Sequence, residues 1–332
     1  MIGNDRLIFD KESAVAKRQI EYAKNYAEVH IVVFTDRNFK EISLGDNVWV
    51  YPTRSMSKIF AVTDAVNLAN FIAKNRNITR ITTQDPWLTA IVGISVKKKL
   101  NIDLEIQVHG DIGSVYFGKS LKNKFLKLLA LSNLPKADHI RVVSNKIKNY
   151  LIDTLHINES KIEVRPIRVD IERIKNTPLN VNHDLHRKYQ QFSKIILMAS
   201  RLEAEKNITL ALESMQSLSK LDSGIGLIIV GKGSCENKLK KFVQSNMLDK
   251  NVIFESWADT EQLISYYKTC DIFLVTSDYE GYGMTLVEAK AAGARVVSTD
   301  VGIADEIGVT IVNRDPVEIS NTIITLLKEE RS

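Results

Sequence analysis

Cysteine is nearly absent from this chain of 332 residues. Only Cys235 and Cys270 occur, too few for a disulfide framework or a cysteine-ligated zinc site. Long apolar runs are missing as well: no stretch approaches the roughly 18 residues that a bilayer span requires. The opening segment, MIGNDRLIFDKES, carries no signal-peptide pattern. Together these absences lead to the expectation of a soluble protein in a reducing cytoplasm. Fifteen glycines, without period, exclude collagen-like and low-complexity architectures. The chain also has no P-loop, no G-x-S-x-G, no H-E-x-x-H and no Cys/His metal spacing. The segment GKGSCE (231–236) lacks the third glycine of a dinucleotide fingerprint.

What remains is the balance of an ordinary globular protein, 44% hydrophobic and 26% charged, with a length suited to two domains. Charge is divided unevenly. Residues 1–170 hold 26 Lys and Arg against 18 Asp and Glu, and the remainder holds 19 against 22. The excess is densest in 119–148, where eight basic residues face the single acid Asp138. Such a patch suits an anionic partner surface, or it is simply a solvated helix face.

Short β-branched runs recur at intervals too long for hairpins. IVVFT (31–35), VWVYP (48–52), RITTQ (80–84), LEIQVHG (104–110), HIRVVS (139–144) and KIEVRP (161–166) form one series. KIILMASR (194–201), LIIVGKG (227–233), VIFESW (252–257), IFLVTS (272–277), RVVSTD (295–300) and TIVN (310–313) form a second. Between them lie helical patterns, such as Ala16, Ile20, Ala23 and Ala27 behind Ser13 as N-cap. Asn207 to Leu218, Cys235 to Ser245 and Thr260 to Lys268 read as amphipathic helices too. This alternation predicts two parallel, Rossmann-like α/β domains with a cleft between them, 1–170 and 194–332, joined by the polar linker 171–193.

Ligands of open parallel sheets bind beyond the carboxyl ends of the strands, so the loops there carry the chemistry. In SDYEGYGMTLVEAKAAG (277–293), Gly281 and Gly283 allow close backbone approach, and a helix follows whose first amides form an anion site. Glu280 precedes that helix and Glu288 lies within it; carboxylates suit pairs of sugar hydroxyls, although two such acids are also common on solvated helices. In ASRLEAEKN (199–207), Arg201 and Lys206 offer a fork and a compact charge for a diphosphate, or are ordinary surface residues. His109, at the end of LEIQVH, can hydrogen-bond a hydroxyl, transfer a proton or serve structure alone. Asp111 beside it suits a turn equally well.

Taken together, SRLEAEKN, VGKG, VIFESWADTEQLISYYKTCDIFLVTSDYEGYGMTLVEAKAAG and VSTDVG resemble the GT-B glycosyltransferases of the retaining family 4 (glycosyl transferases group 1). QDPW and QVHGD resemble acceptor-side loops of the same family. The resemblance is strong over 194–303 and weaker before residue 80. It implies two Rossmann-like domains facing each other across a cleft, and a transferase that moves a hexose from a UDP- or GDP-sugar to a hydroxyl of a lipid-linked or glycan acceptor. Cell-envelope or polysaccharide synthesis is the implied setting, with no nucleic acid partner. It implies retention of configuration, no metal and no cofactor, the nucleotide-sugar being a co-substrate. By motif position, Arg201 and Lys206 hold the diphosphate, with Gly231 on the donor side and Glu288 on the ribose. Glu280 meets the transferred sugar, helped by the backbone of Gly281, Tyr282, Gly283, Met284 and Thr285. His109 matches the active-site histidine, while Asp85 and Asp111 fall on the acceptor side.

There are departures from the family pattern. Ser256 stands where a glycine is usual, near the nucleotide base. Only Met1 and Ile2 represent the first strand, and no helix beyond PVEISNTIITLLKEE returns to the first domain, so weaker domain docking is expected. Within 119–148, SLKNKFLKLLALSNLPK (120–136) mixes lysines with leucines and Phe125, which suits peripheral contact with an anionic membrane at its inner face. The opposed expectation is a core-packing helix with a lysine-rich exterior. Two further functions compete: a nucleotide-sugar epimerase of GT-B fold, and a non-catalytic transferase-like subunit.

Overall fold

The computed structural model describes residues 1–329. Glu330, the last residue of the expected terminal helix, and the rest of the expected second domain through Ser332 lie outside the described residues. The chain divides into two compact units. One comprises Met1–Gly113 and Phe117–Pro166, the other Ser114–Tyr116 and the chain from Ile167 onward.

The first unit runs β1 (Ile2–Gly3), α1 (Ala14–Ala23), β2 (Val29–Val33), β3 (Ile42–Gly45), β4 (Val48–Pro52), α2 (Ala61–Asn75), β5 (Arg80–Thr83), α3 (Leu88–Leu100), β6 (Asp103–Val108), α4 (Leu121–Asn133), β7 (His139–Val142), α5 (Asn145–Asp153) and β8 (Ile162–Val164). Its sheet has the order β3-β4-β2-β1-β5-β6-β7-β8 and is parallel apart from β3. The capping chemistry is local: Ser13 Oγ accepts from the Ala16 amide at 3.1 Å, and Ser120 and Ser144 cap α4 and α5 in the same way. Helix α1 ends at Ala23, before Ala27, and lays Ala16 and Ala23 on the apolar face of β2 and β4.

Two sequence expectations change here. The run before VWVYP does form a hairpin, because β3 pairs antiparallel with β4 through the tight connection Gly45–Val48. Short and only half apolar, ISLG gives too weak a pattern to be read as a strand. The two-residue β1 is not at an edge of the sheet. It sits in the middle of the sheet, Ile2 opposite Val32 on one side and Thr83 on the other. Two residues suffice there because hydrogen bonding from both neighbours, rather than strand length, holds a central strand.

The second unit runs α6 (Ile171–Asn176), α7 (Leu185–Lys188), β9 (Lys194–Ala199), α8 (Ile208–Leu221), β10 (Ile225–Val230), α9 (Glu236–Ser245), β11 (Val252–Glu255), α10 (Thr260–Thr269), β12 (Ile272–Val275), α11 (Met284–Ala291), β13 (Val296–Thr299), β14 (Thr310–Val312) and α12 (Pro316–Lys328). Its sheet is parallel throughout, in the order β11-β10-β9-β12-β13-β14. Strand β9 is apolar on both faces: Ile196 and Met198 enter one core, Ile195 and Leu197 the other. The stretch 171–193, expected as a linker, instead belongs to this unit. Its few apolar residues are well placed, with Leu185 and Phe192 buried among Tyr266, Tyr267 and Phe273. Asp170 and Asp184 cap its two short helices. Among the described residues, no helix is long and apolar enough to cross a membrane.

Candidate functional site

Strand order decides where the second unit can bind a ligand. From β9 the chain moves outward to β10 and β11, then returns to β12 on the other side of β9 and moves outward again. The loops after β9 and β12 therefore diverge to opposite faces and leave a crevice at their switch point. These are the loops that carry Arg201, Lys206 and Glu280. They are stitched together by backbone and side-chain hydrogen bonds: the Asp278 amide donates to Glu205 O at 2.8 Å, and Thr276 Oγ1 to Asn207 O at 3.0 Å.

Inside the crevice, Lys206 Nζ donates to both oxygens of Glu280, at 2.7 and 2.8 Å, and Ser277 Oγ donates to Oε1 at 2.7 Å. Both side chains of this ion pair are mostly buried. Beside it begins α11, with Gly283 at its N-cap in a left-handed conformation (φ 92°) that side chains rarely adopt. The amides of Met284 and Thr285 precede the helix's own hydrogen-bond ladder and are oriented for an anion. A cavity of about 390 Å³ joins these groups. Arg201, Lys206, Glu280, Tyr282, Met284 and Thr285 line it, as does Gly283.

Arg201 stands at the rim of the cavity, while Gly231, Gly281 and Glu288 lie outside its lining. Arg201 is exposed and paired with Glu205 at 2.9 Å. Gly231 ends β10 with φ 146°; a Cβ there would lie 1.9 Å from Ser200 O, so glycine lets the β9 and β10 loops touch. Gly281 joins Glu280 to Tyr282. Glu288, one turn into α11, accepts from the buried Tyr267 hydroxyl at 3.3 Å, and burial raises its pKa above the usual carboxylate value.

Trp257 and Gly302 lie in loops that the sequence marks as following strands, but it gave them no role. Trp257, directly after β11 and 67% exposed, lines the cavity. Its place after a strand was the available signal. Arg314 was not legible at all: its Nε lies 3.3 Å from Asp278 Oδ1, and its Nη2 donates to the carbonyls of Ser277 and Asp278. Gly302, with φ 55°, allows the Ile303 amide to reach Tyr282 O, bracing the glycine loop from behind.

The first unit holds His109, Asp85 and Asp111, each at the carboxyl end of its strand. Asp85 accepts from Asn4 Nδ2 at 2.9 Å and from the Trp87 amide at 2.8 Å, so one oxygen fastens the turn into α3 and the other holds the segment after β1. Burial raises its pKa against those hydrogen bonds. Asp111 accepts from the Gly113 amide at 2.9 Å, which is the geometry of a turn residue. His109 Nε2 lies 2.9 Å from Gln107 Oε1. Burial of the ring, with the positive charges of Arg141 and Arg18 nearby, lowers its pKa to about 4, although the residue keeps an exposed edge. The imidazole is therefore neutral at neutral pH. Among the described residues, no group of three or more His, Cys, Asp or Glu side chains is arranged to hold a metal ion.

Similarity to known proteins agrees with this arrangement. The family model for "Glycosyl transferases group 1" matches residues 184–332, and that for "Glycosyltransferase Family 4" matches residues 20–173. Alpha-monoglucosyldiacylglycerol synthase of Streptococcus pneumoniae is 26% identical over 68% of this chain and 53% of its own. An N-acetylgalactosaminyltransferase of Campylobacter jejuni, named for a diphospho-undecaprenol-linked sugar, is 29% identical over 54% of this chain and 46% of its own. The chain thus spans about half the length of these two relatives. In fold it is similar to sucrose-phosphate synthase of Thermosynechococcus elongatus (TM-score 0.76, 20% identity, 99% of this chain and 90% of that one). It is also similar to HepE of Anabaena, solved with UDP and glucose (TM-score 0.70, 17% identity, 99% and 89%). With two parallel α/β sheets, the motif-bearing crevice of the second, and family models that meet across nearly its whole length, the chain belongs to the GT-B glycosyltransferases of family 4, group 1.

Proposed function

We propose that the protein transfers a hexose-type sugar from a UDP- or GDP-sugar to a hydroxyl of a glycoconjugate acceptor, with retention of configuration and without a metal. The observation that carries this reading is the buried Lys206–Glu280 pair beside the free amides of α11. Lys206 and those amides supply fixed positive charge where a departing diphosphate gathers negative charge, the strongest electrostatic lever such a site has. Arg201, at the rim, adds a second cation once it leaves Glu205. Glu280, released from Lys206, accepts from hydroxyls of the sugar, while Glu288 takes the ribose. In the retaining step the bond from the anomeric carbon to the diphosphate oxygen breaks. The acceptor oxygen bonds on the same face, and its proton passes to the leaving phosphate. His109 accepts a hydrogen bond from the sugar, with Asp85 and Asp111 shaping the acceptor-side turns.

Thermal shift against UDP-, GDP- and ADP-sugars is the primary test, because a bound ligand stabilises by mass action. A shift with one class identifies the base. No shift with any, or calorimetric affinity unchanged by Lys206→Ala, overturns the assignment. Turnover of a UDP-sugar without acceptor points instead to an epimerase, and the anomeric signal of the product checks retention.

A second observation bears on the acceptor. Helix α4 is inverted relative to a core-packing helix: it buries Asn123, Ala130 and Asn133, while Leu121 (86% exposed), Phe125 and Leu128 stand outward among Lys122 and Lys124. Apolar residues at the interface with flanking lysines suit the surface of an anionic bilayer. The relatives named for diacylglycerol and undecaprenol sugars favour a lipid-linked acceptor on such a surface. Flotation with anionic vesicles at low salt, lost in Leu121→Ser/Phe125→Ser, is the expected result; no flotation at low salt removes the membrane from the reading.

A further inference from the structure

Glu105 and Gln107 alternate along β6 on one face of the sheet, and His109 follows directly after the strand, in contact with Gln107. Glu105 is only 3% exposed and Gln107 only 4%. Gln107 Nε2 donates to Glu105 Oε1 at 3.3 Å, and Gln107 Oε1 lies 2.9 Å from His109 Nε2.

The orientation of this ladder follows from what each group can do. Gln107 turns its NH₂ toward Glu105 Oε1, which accepts from it, and its carbonyl oxygen toward His109. The inverted amide would set two acceptors against each other in a dry place. With its nitrogen committed, Gln107 presents its oxygen to His109. An oxygen there requires a proton on His109 Nε2, which in a neutral ring leaves Nδ1 bare. No hydrogen bond to that Nδ1 is formed among the described residues, and His109 is an exposed residue. The charged groups facing the ring, Arg141 on β7 and Arg18 on α1, are cations that oppose a second proton.

We propose that Glu105 and Gln107 are positioning residues that fix His109 in its Nε2–H tautomer, so that Nδ1 serves the sugar site solely as a hydrogen-bond acceptor. This rests on the placement of His109 against the transferred sugar made above. It assigns a direction to that contact: a sugar hydroxyl donates and the imidazole accepts. The ring's part is orientation of the sugar, since a ring whose free nitrogen carries no proton cannot protonate a leaving group.

The test reads the tautomer directly. Full-length protein carrying isotope-labelled histidine has six imidazoles, and comparison with His109→Gln assigns the signal of His109. Long-range proton–nitrogen spectra of the unliganded protein, at mildly alkaline pH, should show a single neutral form with the proton on Nε2. Gln107→Leu, which removes the acceptor, should release the ring to a mixture of tautomers. Glu105→Gln, which frees the amide to invert, should give a mixture of tautomers. A proton on Nδ1 in the wild-type protein, or an unmixed signal in Glu105→Gln, overturns the proposal. The kinetic arm uses the same variants: Glu105→Gln and Gln107→Leu should each lower kcat up to about tenfold with KM for the nucleotide-sugar unchanged. Should the spectra come out as expected while His109→Gln leaves kcat untouched, the tautomer assignment stands and the placement of His109 at the sugar fails.

Discussion

The two units share a parallel-sheet plan but place their polar chemistry differently. In the second unit both faces of the sheet are apolar, and the charged groups of the crevice hang on loops after β9 and β12. In the first, α1 covers an apolar face over β2 and β4, while the same sheet carries Glu105 and Gln107 on β6 and Arg141 on β7 as part of the strands themselves. A loop-borne ion pair can exchange partners when an anionic ligand arrives. A strand-borne ladder has less freedom, because the backbone of Glu105 is paired with β5 and β7 and that of Gln107 with β7. The first arrangement suits groups that must respond to a ligand, the second a group that must already point the right way.

The largest test of this contrast is at the exchangeable pair. Lys206→Ala should lower kcat by about 10²–10³, as loss of a fixed positive charge at a developing anion does. It should also destabilise the second unit by about 2 kcal/mol, because Glu280 is left buried without its cation. In Lys206→Ala/Glu280→Ala the stability should largely return while activity does not, read by thermal unfolding and initial rates. If the single and double variants unfold alike, the pair is not coupled.

Next in size is the support of the glycine loop. Gly302→Ala introduces a Cβ 2.3 Å from Tyr282 O at φ 55° and should cost about 2–3 kcal/mol. Gly45→Ala, in the β3–β4 hairpin of the first unit, meets nothing within 4 Å and should be neutral to about 0.5 kcal/mol. Equal effects in calorimetry would erase the distinction between a braced loop and an open turn.

Two smaller effects concern pH and have opposite signs. Burial raises the Glu288 carboxyl, with only the Tyr267 hydroxyl opposing it. The stability tied to its proton is complete below the ordinary value of 4.5 and is lost as pH rises through the raised one. Glu288→Gln should therefore be as stable as wild type at neutral pH, or more so by up to about 1 kcal/mol, while binding nucleotide-sugar less well. His109 runs the other way. Its folded pKa of about 4 lies below the ordinary 6.5, so its contribution is present above 6.5 and is lost as pH falls toward 4. In His109→Gln the unfolding midpoint should decline less over that interval, and an unchanged slope would show that the ring is not perturbed.

Much of this was legible before any coordinates. The twelve β-branched runs all overlap strands, and Ser13 caps α1 as its place before the helical pattern requires. Capping and periodicity are local, so short segments announce them. Less legible were elements whose role depends on neighbours: the central β1, the hairpin partner β3, and helices α6 and α7 inside a polar stretch. The same divide runs through the site. Arg201, Lys206, Glu280 and the glycines stood out by motif, but Asp85 and Asp111 prove to hold turns, and Arg314 reaches the loop from 36 residues away.

The sequence by itself determined the class of fold, the family and the loops that bear the chemistry, because each is written in residue types at fixed short spacings. Only the tertiary structure decided that Lys206 and Glu280 hold each other, that α4 leaves Leu121, Phe125 and Leu128 exposed, and that Gln107 lies between Glu105 and His109. Those relations depend on which side chains meet across strands and turns and on how much water is left between them. Spacing along the chain does not specify either.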